Sequence, residues 1–507
     1  MSTKIEYGDF QTPLPLAQAV CRRLAEDGVA PATVIEPTCG TGTFLVAALH
    51  TFGSLSSATG VEYNDAYVQE ARERLRGKTG NVAVQVTTGD FFEQDWDALI
   101  READEPVLLL GNPPWVTNAA LSKLNGTNLP EKSNLHGHRG FEALTGKGNF
   151  DISEWMLLHL LEWAASTDAT LAFLCKTSVA RKVIRHRWTH HALPPYQFSL
   201  YRLDATRHFD AAVDACLLVA TPASEATDAP SCPVYDSITN PQCEQQIGLR
   251  GASLVADVDA FDAARPFLGE SAYVWRSGLK HDCAKVMELT AQPDGRWVNG
   301  RSETVALEDA YLHPLLKSSD VANGRTTPRR WVIVPQNRVG APTAPIQTEA
   351  PDTWRYLTAH ADQLNGRKSS VYRNRPPFSI FGIGSYSFAP WKVAISGLYK
   401  HVQFTVVGPV DGKPVMLDDT CYFLPRETEA EAHFLCTLLN RPEARSLFHA
   451  FIFWDDKRPI TIGLLKRLDL FALADRGGQA DAYMRYVSRN PHTQPHKKQL
   501  SLLGGTS

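Results

Sequence analysis

Apolar residues recur along the first 220 positions in two alternating rhythms. LPLAQAVCRRLAEDG spaces them for one face of a helix, whereas ATVIEP is a short continuous run with the length of a buried strand. TFLVAALHTF returns to the helical spacing, ATGVEYN to a strand, AYVQEARERLRG to a helix and NVAVQVTTGDF to a strand. PVLLLGNPPW predicts a fourth strand, and WMLLHLLEWAA followed by ATLAFLCKT a further helix and strand. Strands alternating with helices of this length predict an α/β fold with a doubly wound, mainly parallel sheet. Sites in such sheets lie at the carboxyl ends of the strands.

The rhythm changes after DACLLVATP. PASEATDAPSCPVYDS, residues 222–237, is rich in Pro, Ser, Ala and Asp and reads as a domain junction. Beyond it come short β-rich runs (RWVIVPQ, WKVAISG, QFTVVG, KPVML, CYFLP) broken by Gly and Pro, with local helical patterns such as EAEAHFLCTLLN. These predict domains at 1–230 and 231–480, the second β-rich and α+β, and a weakly ordered tail over 481–507.

Composition narrows the classes. Of 507 residues, 43% are hydrophobic and 21% charged, as in soluble globular proteins. The net charge of -4 gives no general attraction to nucleic acid, so such a partner needs a local basic surface. Nine scattered cysteines without a CxxC pair argue for reduced thiols and against a disulfide scaffold or structural zinc. No apolar run reaches about 18 residues and the N-terminus has no signal core, so a cytoplasmic protein without membrane contact is expected.

Candidate chemistry sits at the predicted strand ends. VIEPTCGTGTFLVAAL is a strand, a Gly-x-Gly turn and a helix, either a structural turn or an approach for an anionic ligand. Glu62 ends the next strand, where an acidic residue can accept both ribose hydroxyls. A dinucleotide site would have a third glycine. Phe44 and Leu45 stand there instead, which favours a smaller adenosine ligand. Asp90 and Phe91 could bind an adenine amino group and cover its ring. The alternative is that Asp90 caps a helix and that Phe91 and Phe92 belong to the core. In NPPW, the prolines fix the backbone and remove amide donors, leaving the Asn112 side-chain oxygen and the Pro113 carbonyl as acceptors. Two fixed acceptors on an exocyclic amino group would free its lone pair for attack, and Trp115 would stack on an extruded base.

Asn-Pro-Pro-aromatic after a glycine turn resembles the gamma class of S-adenosylmethionine-dependent amino-methylating DNA methyltransferases, of the TaqI type. FQTP, EPTCGTGTF, VEYN, GDFF, NPPW and GKGNFDISEWMLL follow in that family's order. The resemblance implies a seven-stranded Rossmann-like methyltransferase sheet followed by a β-rich DNA-recognition domain. It implies catalytic roles for Asn112, Pro113, Pro114 and Trp115. Cofactor contacts would come from Phe10, Thr12, Pro13, Glu36, Pro37, Cys39, Gly40, Gly42, Glu62, Asp90, Phe91 and Asn112. HFDAAVDACLLVA resembles the motif whose aromatic packs on the flipped base, which points to Phe209. Asn at the first position suggests adenine N6, while Trp115 stands where the family has Tyr or Phe. No general base is evident. Asp151 is open to a supporting role or to a helix cap.

From Gly366 to Lys400 no residue is acidic, while Arg367, Lys368, Arg373, Arg375, Lys392 and Lys400 interleave with aromatics and glycines. Lys317, Arg325, Arg329 and Arg330 form a second cluster. Both suit phosphate contacts, or simply a solvated face. The polar segment at 128–148 reads as a loop beside the target base. Its His136 and His138 suit phosphate or solvent, and no metal is assigned. Site-specific methylation of adenine N6 in double-stranded DNA, in restriction-modification or phage defence with a separate nuclease or other partner, is the reading these features favour. RNA or protein-glutamine methylation and an idle DNA-binding subunit are the alternatives.

Overall fold

The computed structural model describes residues 10–116, 151–190 and 194–489. The segment 128–148 with His136 and His138, the start of GKGNFDISEWMLL, and residues 490–507 lie outside the described residues. The chain divides into two compact units, Met1–Val258 and Asp259–Ser507.

In the first unit, α1 (Leu14–Glu26) precedes β1 (Thr33–Glu36), α2 (Thr43–Thr51), β2 (Ser57–Glu62), α3 (Asp65–Leu75), β3 (Ala83–Thr88), α4 (Trp96–Arg101) and β4 (Val107–Gly111). Then come α5 (Ile152–Trp163), β5 (Ala169–Lys176), α6 (Thr177–Thr189), β6 (Tyr196–Leu203), α7 (Ala205–Phe209) and β7 (Ala215–Pro222). These seven strands lie in the order β3-β2-β1-β4-β5-β7-β6. β1 to β5 pair in parallel, and β7 runs antiparallel to both β5 and β6. β1 and β4, in the middle, are buried along their length, so they read as continuous apolar runs. The helices cover them through single faces. α1 buries Leu16, Ala17, Val20, Cys21 and Leu24, which join Phe44, Leu45, Leu108 and Leu110 in one core.

The sheet is wider than the seven strands expected. β8 (Ser231–Tyr235), β9 (Cys243–Arg250) and β10 (Ser253–Val255) extend it beyond β6 to ten. The stretch read as a domain junction therefore holds a strand, and the first unit runs to Val258 rather than to residue 230. Cys232 and Val234 are the buried positions of β8, two residues apart. Their period-2 signal is masked by the surrounding Pro, Ser and Asp.

The second unit carries two sheets. Its strands are β11 (Arg276–Ser277), β12 (Glu288–Ala291), β13 (Trp297–Asn299), β14 (Thr304–Val305), β15 (Leu312–Leu316), β16 (Arg330–Ile333), β17 (Trp391–Ser396), β18 (Thr405–Val407), β19 (Met416–Leu417) and β20 (Cys421–Arg426). They form a four-stranded sheet, β11-β20-β17-β18, and a six-stranded one, β14-β13-β12-β16-β15-β19. Helices Glu429–Leu439, Pro442–Phe451 and Leu470–Arg476 pack on the first through Leu435, Phe448 and Leu473. The expected loose tail begins instead with helix Ala480–Arg489, which buries Tyr483 and Val487.

Candidate active site

The turn after β1 needs its glycines. Gly40 and Gly42 take φ of +49° and +74°, the left-handed region that an L side chain enters only at a cost. A Cβ on Gly42 would also stand 3.0 Å from that of Ala71. Cys39 N donates to Val61 O at 2.9 Å, which ties the turn to β2. Glu62, at the end of β2, accepts from Gly40 N at 2.9 Å and from Asn64 N at 2.8 Å, so both carboxylate oxygens are held by backbone donors. Gln11, inside FQTP, accepts from Thr41 N at 3.2 Å and brings FQTP against this turn.

Three buried polar atoms at the ends of β1 and β4 have no hydrogen-bond partner among the described residues: Glu36 Oε2, Thr38 Oγ1 and Asn112 Oδ1. An unsatisfied buried polar atom costs about 1–3 kcal/mol, so three at adjacent strand ends leave room for partners from an outside ligand or water. Burial, with the negative Glu62 adding to it, pushes the Glu36 carboxyl well above the usual range. A ligand cation beside it would favour the ionised form. Glu36 and Thr38, with the Glu62 carboxylate, fit the ammonium and ribose ends of S-adenosylmethionine. Thr38 was not singled out from sequence, since its hydroxyl is distinguished only by lacking a partner.

Asn112 follows β4. Its Nδ2 donates to Phe10 O at 2.8 Å and to Thr12 Oγ1 at 3.2 Å, which fixes the amide and leaves Oδ1 as the acceptor without a donor. Trp115 is 5% exposed and its Nε1 donates to Leu174 O at 3.3 Å. Its ring lies 5.5 Å from that of Phe10 and 5.2 Å, edge-on, from that of Phe209. The structure thus brings Phe10, Asn112, Trp115 and Phe209 together, although Phe209 comes from a loosely matching motif.

Asp90 Oδ1 accepts from Phe92 N at 2.9 Å, a local turn cap. Phe91 is buried with its ring 5.0 Å from that of Trp96, so the core reading describes it. The half-buried pair Phe92 and Trp155, 5.2 Å apart, is the more accessible aromatic wall at this strand end. Asp151 caps α5 by accepting from Ser153 N and is paired with Lys176 Nζ at 2.6 Å.

The basic residues of the second unit divide sharply. Lys392 is corrected outright: it is 1% exposed inside β17, donates to Ala389 O at 2.7 Å, and burial pushes its ammonium down to about 7. Such a lysine cannot reach a phosphate. Arg367 is corrected too. It donates to Leu364 O, His281 O and Ser379 O, lies over the Tyr372 ring, and burial lowers its guanidinium. That arginine staples a loop. Lys317 and Arg330 both pair with Glu288, at 2.7 Å and 3.2 Å, and Arg325 pairs with Asp320. Despite burial, hydrogen bonds from His281 and Lys317 hold the Glu288 carboxyl down to about 2. Arg329, Lys368, Arg373, Arg375 and Lys400 are exposed.

No family model matches the chain. The MmeI type IIL restriction-modification enzyme, solved in complex with DNA, superposes with a TM-score of 0.51 at 13% identity, covering 94% of this chain and 68% of that one. The fold is that of the Rossmann-like methyltransferases, with a β-rich second unit. The Type II methyltransferase M.NspV of Nostoc sp. is 41% identical over 474 residues, 93% of this chain and 98% of that protein. The chain belongs to the type II methyltransferases. Among the described residues no helix is long and apolar enough to cross a membrane.

Proposed function

We propose that the protein is a site-specific DNA methyltransferase of a restriction-modification or other phage-defence system that modifies N6 of adenine in duplex DNA. The observation that carries this reading is Asn112 Oδ1, a buried acceptor without a donor, fixed at the end of β4 by Phe10 and Thr12 and followed by two prolines. An exocyclic amino group supplies the missing donor. Accepting its hydrogens localises the nitrogen lone pair, and the rigid turn holds that nitrogen still while it attacks. S-adenosylmethionine, when bound, supplies an electrophilic methyl whose carbon–sulfur bond breaks with the electron pair left on sulfur. The nitrogen then sheds a proton to solvent.

Trp115 is the stacking surface for the base, with Phe209 opposite. A ring held between two faces needs about 7 Å, twice a van der Waals contact. Trp115 and Phe209 stand edge-on at 5.2 Å, so an entering base displaces Phe209, which sits at the end of the five-residue α7. Glu36, Thr38 and Glu62 hold the cofactor beside it. The name of the Nostoc relative, a type II methyltransferase, and the DNA bound in the MmeI structure support DNA as the substrate. Five exposed cations, Arg329, Lys368, Arg373, Arg375 and Lys400, are the phosphate contacts of the second unit.

The test is incubation with methyl-labelled cofactor and duplex DNA, RNA or a protein extract. Label entering DNA alone supports the reading. Label entering only RNA or protein overturns it.

A further inference from the structure

The two prolines of NPPW delete the amide donors at positions 113 and 114, so this turn has to be held largely through its acceptors. Lys176, the last residue of β5, does that. Its Nζ donates to the Trp115 carbonyl oxygen at 2.8 Å and to Asp151 Oδ2 at 2.6 Å. Asp151 is 6% exposed and is itself fixed as the α5 cap, accepting from Ser153 Oγ at 2.6 Å. Ile152 N adds a hydrogen bond to Val116 O at 2.9 Å. One ammonium therefore joins the ends of β4 and β5 and the start of α5 at the residue carrying the indole. Charge-assisted bonds of this length are the stronger kind, and the buried carboxylate keeps the ammonium aimed.

We propose that Lys176, oriented by Asp151, is the positioning residue of the Asn112–Trp115 turn, setting the indole plane and, through the rigid prolines, the Asn112 oxygen. This rests on the methyl-transfer reading of that turn. Lys176 touches no reacting atom. It acts by holding the Trp115 carbonyl, and its removal raises the barrier without loosening cofactor binding.

Lys182 provides the control. Its Nζ, on α6, pairs with buried Glu154 of α5 at 2.7 Å, a second ammonium–carboxylate bridge to α5 that is not made to the turn. The experiment compares Lys176→Met and Lys182→Met in the full chain, matched for folded fraction. One readout is kcat and cofactor Kd. The other is the 19F resonance of Trp115 in protein labelled with 5-fluorotryptophan, assigned by Trp115→Phe. Lys176→Met is expected to lower kcat about 10- to 100-fold, with cofactor Kd within about threefold, and to move the Trp115 resonance. Lys182→Met is expected to do neither. A Trp115 resonance unmoved in Lys176→Met, a kcat within about twofold of wild type, or equal effects of both variants overturns the proposal. Should the wild type methylate no DNA, the functional reading fails on its own, while the resonance still decides whether Lys176 holds the turn.

Discussion

The side-chain nitrogen of Asn112 lies 2.8 Å from the carbonyl oxygen of Phe10, a residue 102 positions earlier in the chain. The contact joins the start of the first unit to the end of β4. It also decides which way the amide faces, because Nδ2 is occupied and Oδ1 is left to accept.

Thr12 is the second acceptor on that nitrogen, at 3.2 Å. Thr12→Val removes it while keeping the shape. One neutral hydrogen bond is worth about 1 kcal/mol, so kcat should fall about fivefold at saturating cofactor and DNA. Steady-state kinetics check this. An unchanged kcat would mean that Phe10 alone orients the amide.

Trp115 and Phe209 should separate in their effects on stability. Trp115→Ala empties a buried position and should cost about 3–5 kcal/mol in urea unfolding. Phe209, only partly buried, contributes an edge-on aromatic contact worth about 0.5–1.5 kcal/mol beyond its area. Phe209→Ala should therefore leave the fold largely intact while weakening kcat/KM for DNA. If its activity falls no further than its folded fraction, Phe209 is not part of the base slot.

Glu288 restrains Lys317 and Arg330. Glu288→Gln removes the charge that holds them and should strengthen binding to DNA of random sequence. Each additional phosphate contact steepens the dependence of log K on log salt by about 0.9. Binding titrations between low and moderate salt measure the slope. A slope equal to that of wild type would show that neither cation reaches DNA even when released.

Lys392 makes stability depend on pH. Its folded-state value near 7 lies below the ordinary 10.5, so between these limits the unfolded chain binds the extra proton. Stability of the second unit should therefore rise with pH from about 7 toward 10, by at most about 1.4 kcal/mol per pH unit, and flatten below 7. Lys392→Met should be the more stable protein at neutral pH, and its advantage should vanish near pH 10.5. Parallel urea-unfolding profiles for the two proteins from pH 6 to 10 would contradict this.

Much of the first unit can be read from its periodicities. β1 and β4 are continuous apolar runs because both their faces are covered, and the glycine turn and NPPW stand at their ends. β8 was hidden because two buried positions carry too little signal among Pro, Ser and Asp. Lys392 and Arg367 misled for a different reason. Composition counts charges without locating them, and WKVAIS, buried on both faces, has no alternation to show that its lysine points inward. Lys176 was invisible because its meaning lies in partners 61 and 25 residues away. Phe209 shows the reverse: a loose motif match, placed beside Trp115 by the antiparallel return of β7 between β5 and β6.

The most direct measurement is mass analysis of nucleosides from duplex DNA methylated by the wild type and by Asn112→Ala, with cofactor binding measured on both. The account expects N6-methyldeoxyadenosine from the wild type and at least about 100-fold less from the variant, at similar cofactor affinity. Methylation of another nucleoside, or full activity in Asn112→Ala, would contradict it.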